Sequence, residues 1–99
     1  LSPYFSEALG RVFLKPHFDR PANPERAKNY FEQTLELQDE NLILKQDAKK
    51  GLINIFIMEN NLDSAEKSLK EIELEQFENL NFQKLKLKIN FKALRNSAQ

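Results

Sequence analysis

The stretch from Ala48 to Glu73 constrains the fold most, because its pattern predicts two antiparallel helices joined by a very short turn. In the first segment, apolar side chains fall on more than one side of a helical wheel, which predicts a helix with neighbours on both flanks. These apolar residues are Leu52, Ile53, Ile55, Phe56, Ile57 and Met58.

The second segment of this stretch has a narrower apolar face, so we expect it to lie outside the first helix and shield it. Asn60-Asn61 supplies the break, since asparagine tolerates the left-handed backbone that a helix end requires, and Asn61 or Asp63 would cap the next helix. The apolar face consists of Leu62, Ala65, Leu69 and Ile72, and the charged face of Asp63, Glu66, Lys67, Lys70 and Glu71.

Size and composition exclude several classes of protein. A chain of 99 residues with 40% hydrophobic content makes one small domain. Fifteen basic residues balance fifteen acidic ones, so no overall field recruits nucleic acid or an anionic membrane. Cysteine is absent, which excludes a disulfide framework and a thiolate metal site.

The charge is unevenly distributed along the chain. Residues 39–75 carry five basic and nine acidic side chains, net minus four, and residues 76–99 carry five basic and one acidic, net plus four. Opposite charges on successive segments predict that the two pack beside each other; the alternative is that an acidic partner from outside meets the basic segment.

No apolar run approaches the length of a membrane span, and no signal-peptide pattern opens the chain. The first residue is Leu1, which indicates an excised or processed piece of a longer protein. A cytoplasmic location is favoured, while a removed leader and a longer repeat array both stay open.

The first helix is expected to begin at Ser2-Pro3 and to end before Pro16. Gly10 lies inside it, where glycine costs helix stability, so we expect another helix to approach closely there. Residues 15–23 predict an ordered surface loop, in which Phe18 packs against the core. The predicted apolar stripe of this helix is Phe5, Leu9, Val12 and Phe13.

Four further helices complete the predicted domain. The second begins at Asn23-Pro24, and its inner face holds Ala27, Tyr30, Phe31, Thr34 and Leu35. The others span about Asn41–Glu59, Leu62–Glu73 and Phe77–Arg95. The predicted fold is therefore all-α, with hairpins over about 3–38 and 41–73 and a capping helix or half repeat over about 77–95. A strand over 85–92, where apolar residues alternate with polar ones, is the alternative, but it has no partner strand.

Small and large residues recur in a way that resembles the tetratricopeptide repeat. Leu52 and Phe56 followed by Ala65, Leu69 and Ile72 fit its two-helix pattern. The earlier part is similar to the Sel-like branch, through Leu9-Gly10-x-x-Phe13 and the run from Pro21 to Ala27. The resemblance covers residues 5–74 and implies an α-solenoid of stacked hairpins that binds proteins on the surface of its first helices.

Catalytic and cofactor chemistry finds little support in the sequence. His17 is the only histidine and lies in a proline-rich loop, where a surface or loop-packing role is favoured. The carboxylates fall mostly at helix-surface spacings, and two glycines cannot form a phosphate-binding loop. We therefore expect no enzyme activity, no metal and no cofactor.

Two functions from different classes stay open. The first is a non-enzymatic interaction module, an adaptor or scaffold that binds a peptide or helix of another protein. The second is a structural or oligomerising domain whose grooves are filled by its own chain. By resemblance to the tetratricopeptide repeat, Lys50 and Asn54 have the spacing at which some members of that family bind a terminal carboxylate. The candidate partner-binding residues are Lys50, Asn54, Ile57, Met58, Leu80, Leu87, Phe91 and Leu94.

The last helix is apolar on two opposite sides. Leu80, Leu87, Phe91 and Leu94 form one stripe, while Phe82, Leu85 and Ile89 form the other. Since the preceding hairpin can cover only one of them, we expect the first stripe to bind another chain, acidic in character, or a second copy in a homodimer. Lysines at its rim would steer an acidic partner. The alternative is that Phe5 and Leu9 fold over this stripe.

Overall fold

Five α-helices make up the part of the chain that the computed structural model describes, residues 2–37, 41–74 and 80–98. They are α1 (Pro3–Leu14), α2 (Pro24–Glu36), α3 (Leu42–Met58), α4 (Leu62–Leu74) and α5 (Leu80–Ser97). The prediction of an all-α fold built from helical hairpins is confirmed. The strand alternative for residues 85–92 is wrong, because α5 is helical throughout. The predicted start of the last helix at Phe77 lies outside the described residues.

Side chains cap four of the helices where the sequence places Ser or Asn before them. Ser2 Oγ accepts a hydrogen bond from the Phe5 amide at 3.2 Å, and Asn23 Oδ1 accepts one from the Arg26 amide at 3.1 Å. Each of these bonds satisfies a donor that the first turn leaves free. Asn41 and Asn61 cap α3 and α4 in the same way.

The turn between α3 and α4 has the Schellman form. Asn60 adopts a left-handed backbone with φ of 60°, and the Asn61 amide donates to the Phe56 carbonyl at 2.8 Å. The Asn60 amide donates to the Ile57 carbonyl, which completes the pair of bonds that closes such a helix end. The predicted break at Asn60-Asn61 is confirmed, and Asn61 is the residue that caps α4.

The central element is α3, which packs against each of the other four helices. On one side its Ala48 and Ile55 join a buried cluster with Ala27 and Phe31 of α2. On the other side Ile53 and Ile57 join a cluster with residues of α4 and α5. The predicted covering of this helix on both flanks is confirmed.

The helices form two layers. Helix α3 contacts both α1 and α5; α2 packs on α1 and α3, and α4 packs on α3 and α5. Within the described ranges, α2 does not contact α4 and α1 does not contact α5. The smallest dimension of the domain, 19 Å, fits two layers of helices whose axes lie about 10 Å apart.

Two glycines make room for one phenylalanine at the junction of α1, α2 and α3. The Phe31 side chain is completely buried. A Cβ atom built on Gly10 would lie 2.6 Å from Cε1 of Phe31, and one on Gly51 would lie 2.5 Å from its Cε2. The close approach predicted at Gly10 is confirmed, and Gly51 takes part in the same contact.

The predicted apolar stripe of α1 is wrong for Phe5 and Val12, whereas Phe13 does pack against the cluster of Ala27 and Phe31. The buried residues of this helix are Ser6, Glu7 and Gly10, while Phe5 and Val12 are 53% and 40% exposed. Ser6 Oγ donates to Gln33 Oε1 of α2 at 3.3 Å. The small side chains of Ser6 and Gly10 allow the neighbouring helices to come close, so the most buried positions of α1 are not its bulkiest apolar residues.

The loop from Lys15 to Asn23 is held by several bonds, as predicted. His17 and Arg20 exchange backbone hydrogen bonds of 2.8 and 3.2 Å, and the Asn23 amide donates to the Phe13 carbonyl. The Arg20 guanidinium lies 4.4 Å from the centroid of the Phe13 ring. Phe18 is fully exposed, so the prediction that it packs against the core is wrong. The loop turns tightly between His17 and Arg20, and its tip points away from the helices.

Candidate functional site: the outer face of the last helix

One side of α5 is buried and the opposite side is open. Leu85 and Ile89 are 3% and 2% exposed and complete the core with α3 and α4. Leu87, Phe91 and Leu94 are 58%, 67% and 67% exposed, and we call these three residues the α5 stripe. The two-sided pattern predicted from the sequence is confirmed for these residues.

Helix α1 does not cover the α5 stripe. Phe5 is exposed, and α1 and α5 have no contact among the described residues. The alternative in which Phe5 and Leu9 fold over the stripe is therefore wrong. The side chains of Leu80 and Phe82, which the sequence assigned to the two stripes, lie outside the described residues.

The α5 stripe continues into a shallow groove between α3 and α5. Ile57, in the last turn of α3, is 9% exposed and forms the apolar floor. The groove encloses about 500 Å³ and is wide open to solvent on one side. Its lining, which we call the α3–α5 groove, consists of Ile57, Lys84, Leu87, Lys88, Phe91, Lys92 and Arg95.

Four cationic side chains edge this groove on the side that faces α3. Lys88 Nζ donates to Asn54 Oδ1 at 3.4 Å, and Lys92 Nζ donates to the Ile57 carbonyl at 3.0 Å. Both lysines therefore lean across the groove. The other two cations, Lys84 and Arg95, lie towards the two ends of α5.

No carboxylate neutralises these four cations within the described ranges, where the ion pairs join Arg11 with Glu7 and Lys50 with Asp47. The acidic and basic segments do pack beside each other as predicted, since α5 lies on α3 and α4. However, the packing is apolar, through Leu85 and Ile89. The four cations therefore remain at the open groove.

A second groove, of about 460 Å³, lies between α1 and α3 and is lined mainly by polar residues. Lys50 Nζ lies 3.5 Å from Asp47 Oδ1, and Asn54 Nδ2 donates to the Lys50 carbonyl at 3.2 Å. At its edge Arg11 Nε lies 2.7 Å from Oε1 of the buried Glu7. These ion pairs engage four of the five charged side chains that line the groove, all except Lys15.

The predicted partner-binding residues therefore divide between two places. Lys50 and Asn54 are half-buried in the α1–α3 groove, and Lys88 connects Asn54 to α5. Ile57 and the α5 stripe belong to the α3–α5 groove, while Met58 is exposed at the end of α3. The sequence reading missed Arg95, although its spacing of seven residues from Lys88 places both on one side of α5.

Other candidate chemistry is sparse. His17 Nε2 lies 2.9 Å from the Val12 carbonyl oxygen, which holds the ring against the end of α1. Among the described residues, no three His, Cys, Asp or Glu side chains come together as metal ligands would. Nor does any helix in those ranges combine the length and the apolar character needed to traverse a bilayer.

Comparison with known proteins adds no family: no protein-family model, curated protein or solved structure matches this chain. The α3–α5 groove and the α5 stripe are therefore the candidate functional site of this chain.

Proposed function

We propose that this chain is a non-enzymatic protein-interaction module that binds a helix or peptide of another protein along the α5 stripe and in the α3–α5 groove. The observation that carries the proposal is the open α5 stripe, three large apolar side chains in a row. Burying each would gain roughly 1.5–3 kcal/mol. A contiguous apolar patch rimmed by polar residues is typical of a contact site.

The layout of the helices supports this proposal. Helices α1, α3 and α5 alternate with the covering helices α2 and α4, which is the order that a tetratricopeptide-like or Sel-like array would have. Under this proposal, Gly10 and Ala65 act as the small residues that let successive helices pack closely. In such arrays the binding surface is formed by the first helix of each pair, here α3 and α5.

An open apolar stripe is also what a second candidate function would present, that of a structural domain that associates with its own copies. An interface of that kind needs no partner of a different sequence. The two candidates differ in the mass of the isolated protein in solution, because the second requires a dimer or a larger oligomer at micromolar concentration.

The test begins with a photo-cross-linking amino acid at position 91, and the same amino acid at position 18 as the control. Phe18 is also an exposed phenylalanine, but it lies in the α1–α2 loop away from the groove. In cells that make the protein, we expect position 91 to cross-link to one partner that position 18 does not reach. Mass spectrometry of the adduct identifies that partner.

The purified partner is then titrated with the wild-type chain, with Phe91→Asp and with Phe18→Asp. We expect Phe91→Asp to weaken binding at least tenfold, on the order of what the loss of one apolar anchor costs, and Phe18→Asp to leave it unchanged. Circular dichroism should show that both variants keep their helices. Equal binding by the two variants, or no specific adduct from position 91, would refute the proposal.

A further inference from the structure

The open side of α5 carries a heptad pattern. Spacings of three and four residues alternate from Lys84 through Leu87, Phe91 and Leu94 to Ala98, and all five residues are exposed. We call these residues the heptad seam. Leucine at 87 and 94 fills one core position of the repeat, and Lys84, Phe91 and Ala98 fill the other. This is the spacing with which two helices pack side by side in a coiled coil.

The two flanks of the heptad seam differ in charge. Lys88 and Arg95 line the flank that faces α3, while Gln83, Asn90 and Ser97 line the other. Residues at these flanking positions select the partner in helix pairs, because they lie opposite the flanks of the other helix. Only one flank of α5 therefore selects by charge, and it selects for acidic residues.

Pairing of the heptad seam with a second copy is unfavourable in either direction. In an antiparallel pair Lys88 and Arg95 would face their own counterparts, which are like charges. In a parallel pair Lys84 would meet Lys84 in the core of the contact, where an unneutralised charge is costly. The cationic flank would then face Gln83 and Asn90, which offer it no opposite charge.

We infer that the occupant of the heptad seam is an acidic amphipathic helix from a different protein. The apolar residues of the partner helix pack on Leu87, Phe91 and Leu94, and its glutamates or aspartates face Lys88 and Arg95. A further carboxylate opposite Lys84 neutralises the one charge within the heptad seam. This inference rests on the proposed function and specifies the chemistry of the partner at that site.

Two synthetic helices test the inference. Both have leucine and isoleucine at the core positions over about three heptads; one has glutamate and the other lysine at the flanking positions. Each is titrated into the full chain and followed by fluorescence anisotropy. We expect the glutamate peptide to bind more tightly by about tenfold or more, and this difference to shrink as salt is added.

Charge-reversal variants test whether Lys88 and Arg95 are the residues that select the acidic peptide. Lys88→Glu combined with Arg95→Glu should invert the preference, so that the lysine peptide binds better. The matched control is Lys67→Glu with Lys70→Glu on the exposed face of α4, which changes the net charge equally. This control should keep the original preference, because neither residue lines the α3–α5 groove.

The failures of the inference and of the proposed function are distinguishable. Equal affinity for the two peptides, binding of neither, or a wild-type chain that has the mass of a dimer would overturn the acidic-helix inference. Neither equal affinity for the peptides nor binding of neither peptide affects the cross-linking test at position 91. If Phe91→Asp leaves the affinity for the cross-linked partner unchanged, the proposed function itself fails.

Discussion

Replacing Gly51 with alanine tests the packing at the centre of the domain. Gly51 lies inside α3, so helix propensity alone predicts that alanine is stabilising by about 1 kcal/mol. The structure predicts the opposite. The new Cβ would lie 2.5 Å from Cε2 and 2.8 Å from Cε1 of Phe31, much closer than carbon atoms pack.

The magnitude follows from how little the Phe31 ring can move. The ring is completely buried and also lies against Gly10 of α1, so three helices must shift to relieve the contact. Overpacking of this kind costs about 1–3 kcal/mol, and the constraint on the ring favours the upper part of that range. After the gain in helix propensity, we expect a net loss of about 1–2 kcal/mol in the free energy of unfolding.

Urea unfolding followed by circular dichroism measures this loss, and a double-mutant cycle tests whether it comes from the contact with the Phe31 ring. In a Phe31→Leu background the ring is absent, so the additional change Gly51→Ala should be neutral or stabilising by up to about 1 kcal/mol. Thermal melts should agree, at roughly 4–8 °C for each kcal/mol in a domain of this size. A higher unfolding free energy for the single variant Gly51→Ala would refute the reasoning.

Three further predictions follow from the fold. Ala65→Leu should cost about 1–3 kcal/mol of unfolding free energy by overpacking, whereas Glu66→Ala, on the exposed face of the same helix, should change it by less than about 0.5 kcal/mol; equal melting temperatures would contradict the buried contact of Ala65. Limited trypsin digestion should spare the bond after Arg26 while the domain is folded, and rapid cleavage there would show that the loop and the start of α2 are not held by their bonds; the bond after Arg20 precedes Pro21 and resists trypsin in any state. Asn60→Val should lower the unfolding free energy by about 1–2 kcal/mol because a branched residue resists the left-handed backbone, and Asn60→Gly should not; a stable valine variant would argue against the Schellman turn.

Much of the fold could be predicted because its signals are local. Ser or Asn before a helix, the Asn60-Asn61 break and the helical spacing of Leu69 with Ile72 depend only on residues near each other in the chain. These features predicted the helix starts at Ser2 and Asn23, the turn that is capped by Asn61, and the α3–α4 hairpin.

The packed side of α1 could not be predicted from its apolar stripe. Periodicity shows where apolar residues lie, but it does not show which side a neighbouring helix covers. Here the packed side carries Ser6 and Gly10, which have no hydrophobic signal, and leaves Phe5 and Val12 outside. The exposure of Phe18 was missed for a related reason, because a loop has no periodicity that fixes the direction of a side chain.

The sequence predicted one part of the candidate site, the α5 stripe, but not the groove beside it. The α5 stripe follows from the helical wheel, since one preceding hairpin covers only one side of a helix. The groove beside it depends on how α3 and α5 lie together, and the approach of Lys88 to Asn54 joins residues 34 positions apart. Contacts at that separation depend on the tertiary packing, which no local pattern encodes.

The most direct test of the central claim is the amide chemical-shift footprint of the glutamate-flanked helix on the isotope-labelled chain. The account predicts that the largest shifts fall on residues 83–97 of α5 and 54–58 of α3, the two sides of the α3–α5 groove. Helix α2, which does not contact α5, should be unaffected. Shifts centred on α2 or on the α1–α3 groove, or no shifts at saturating peptide, would contradict the claim that the open face of α5 is the binding site.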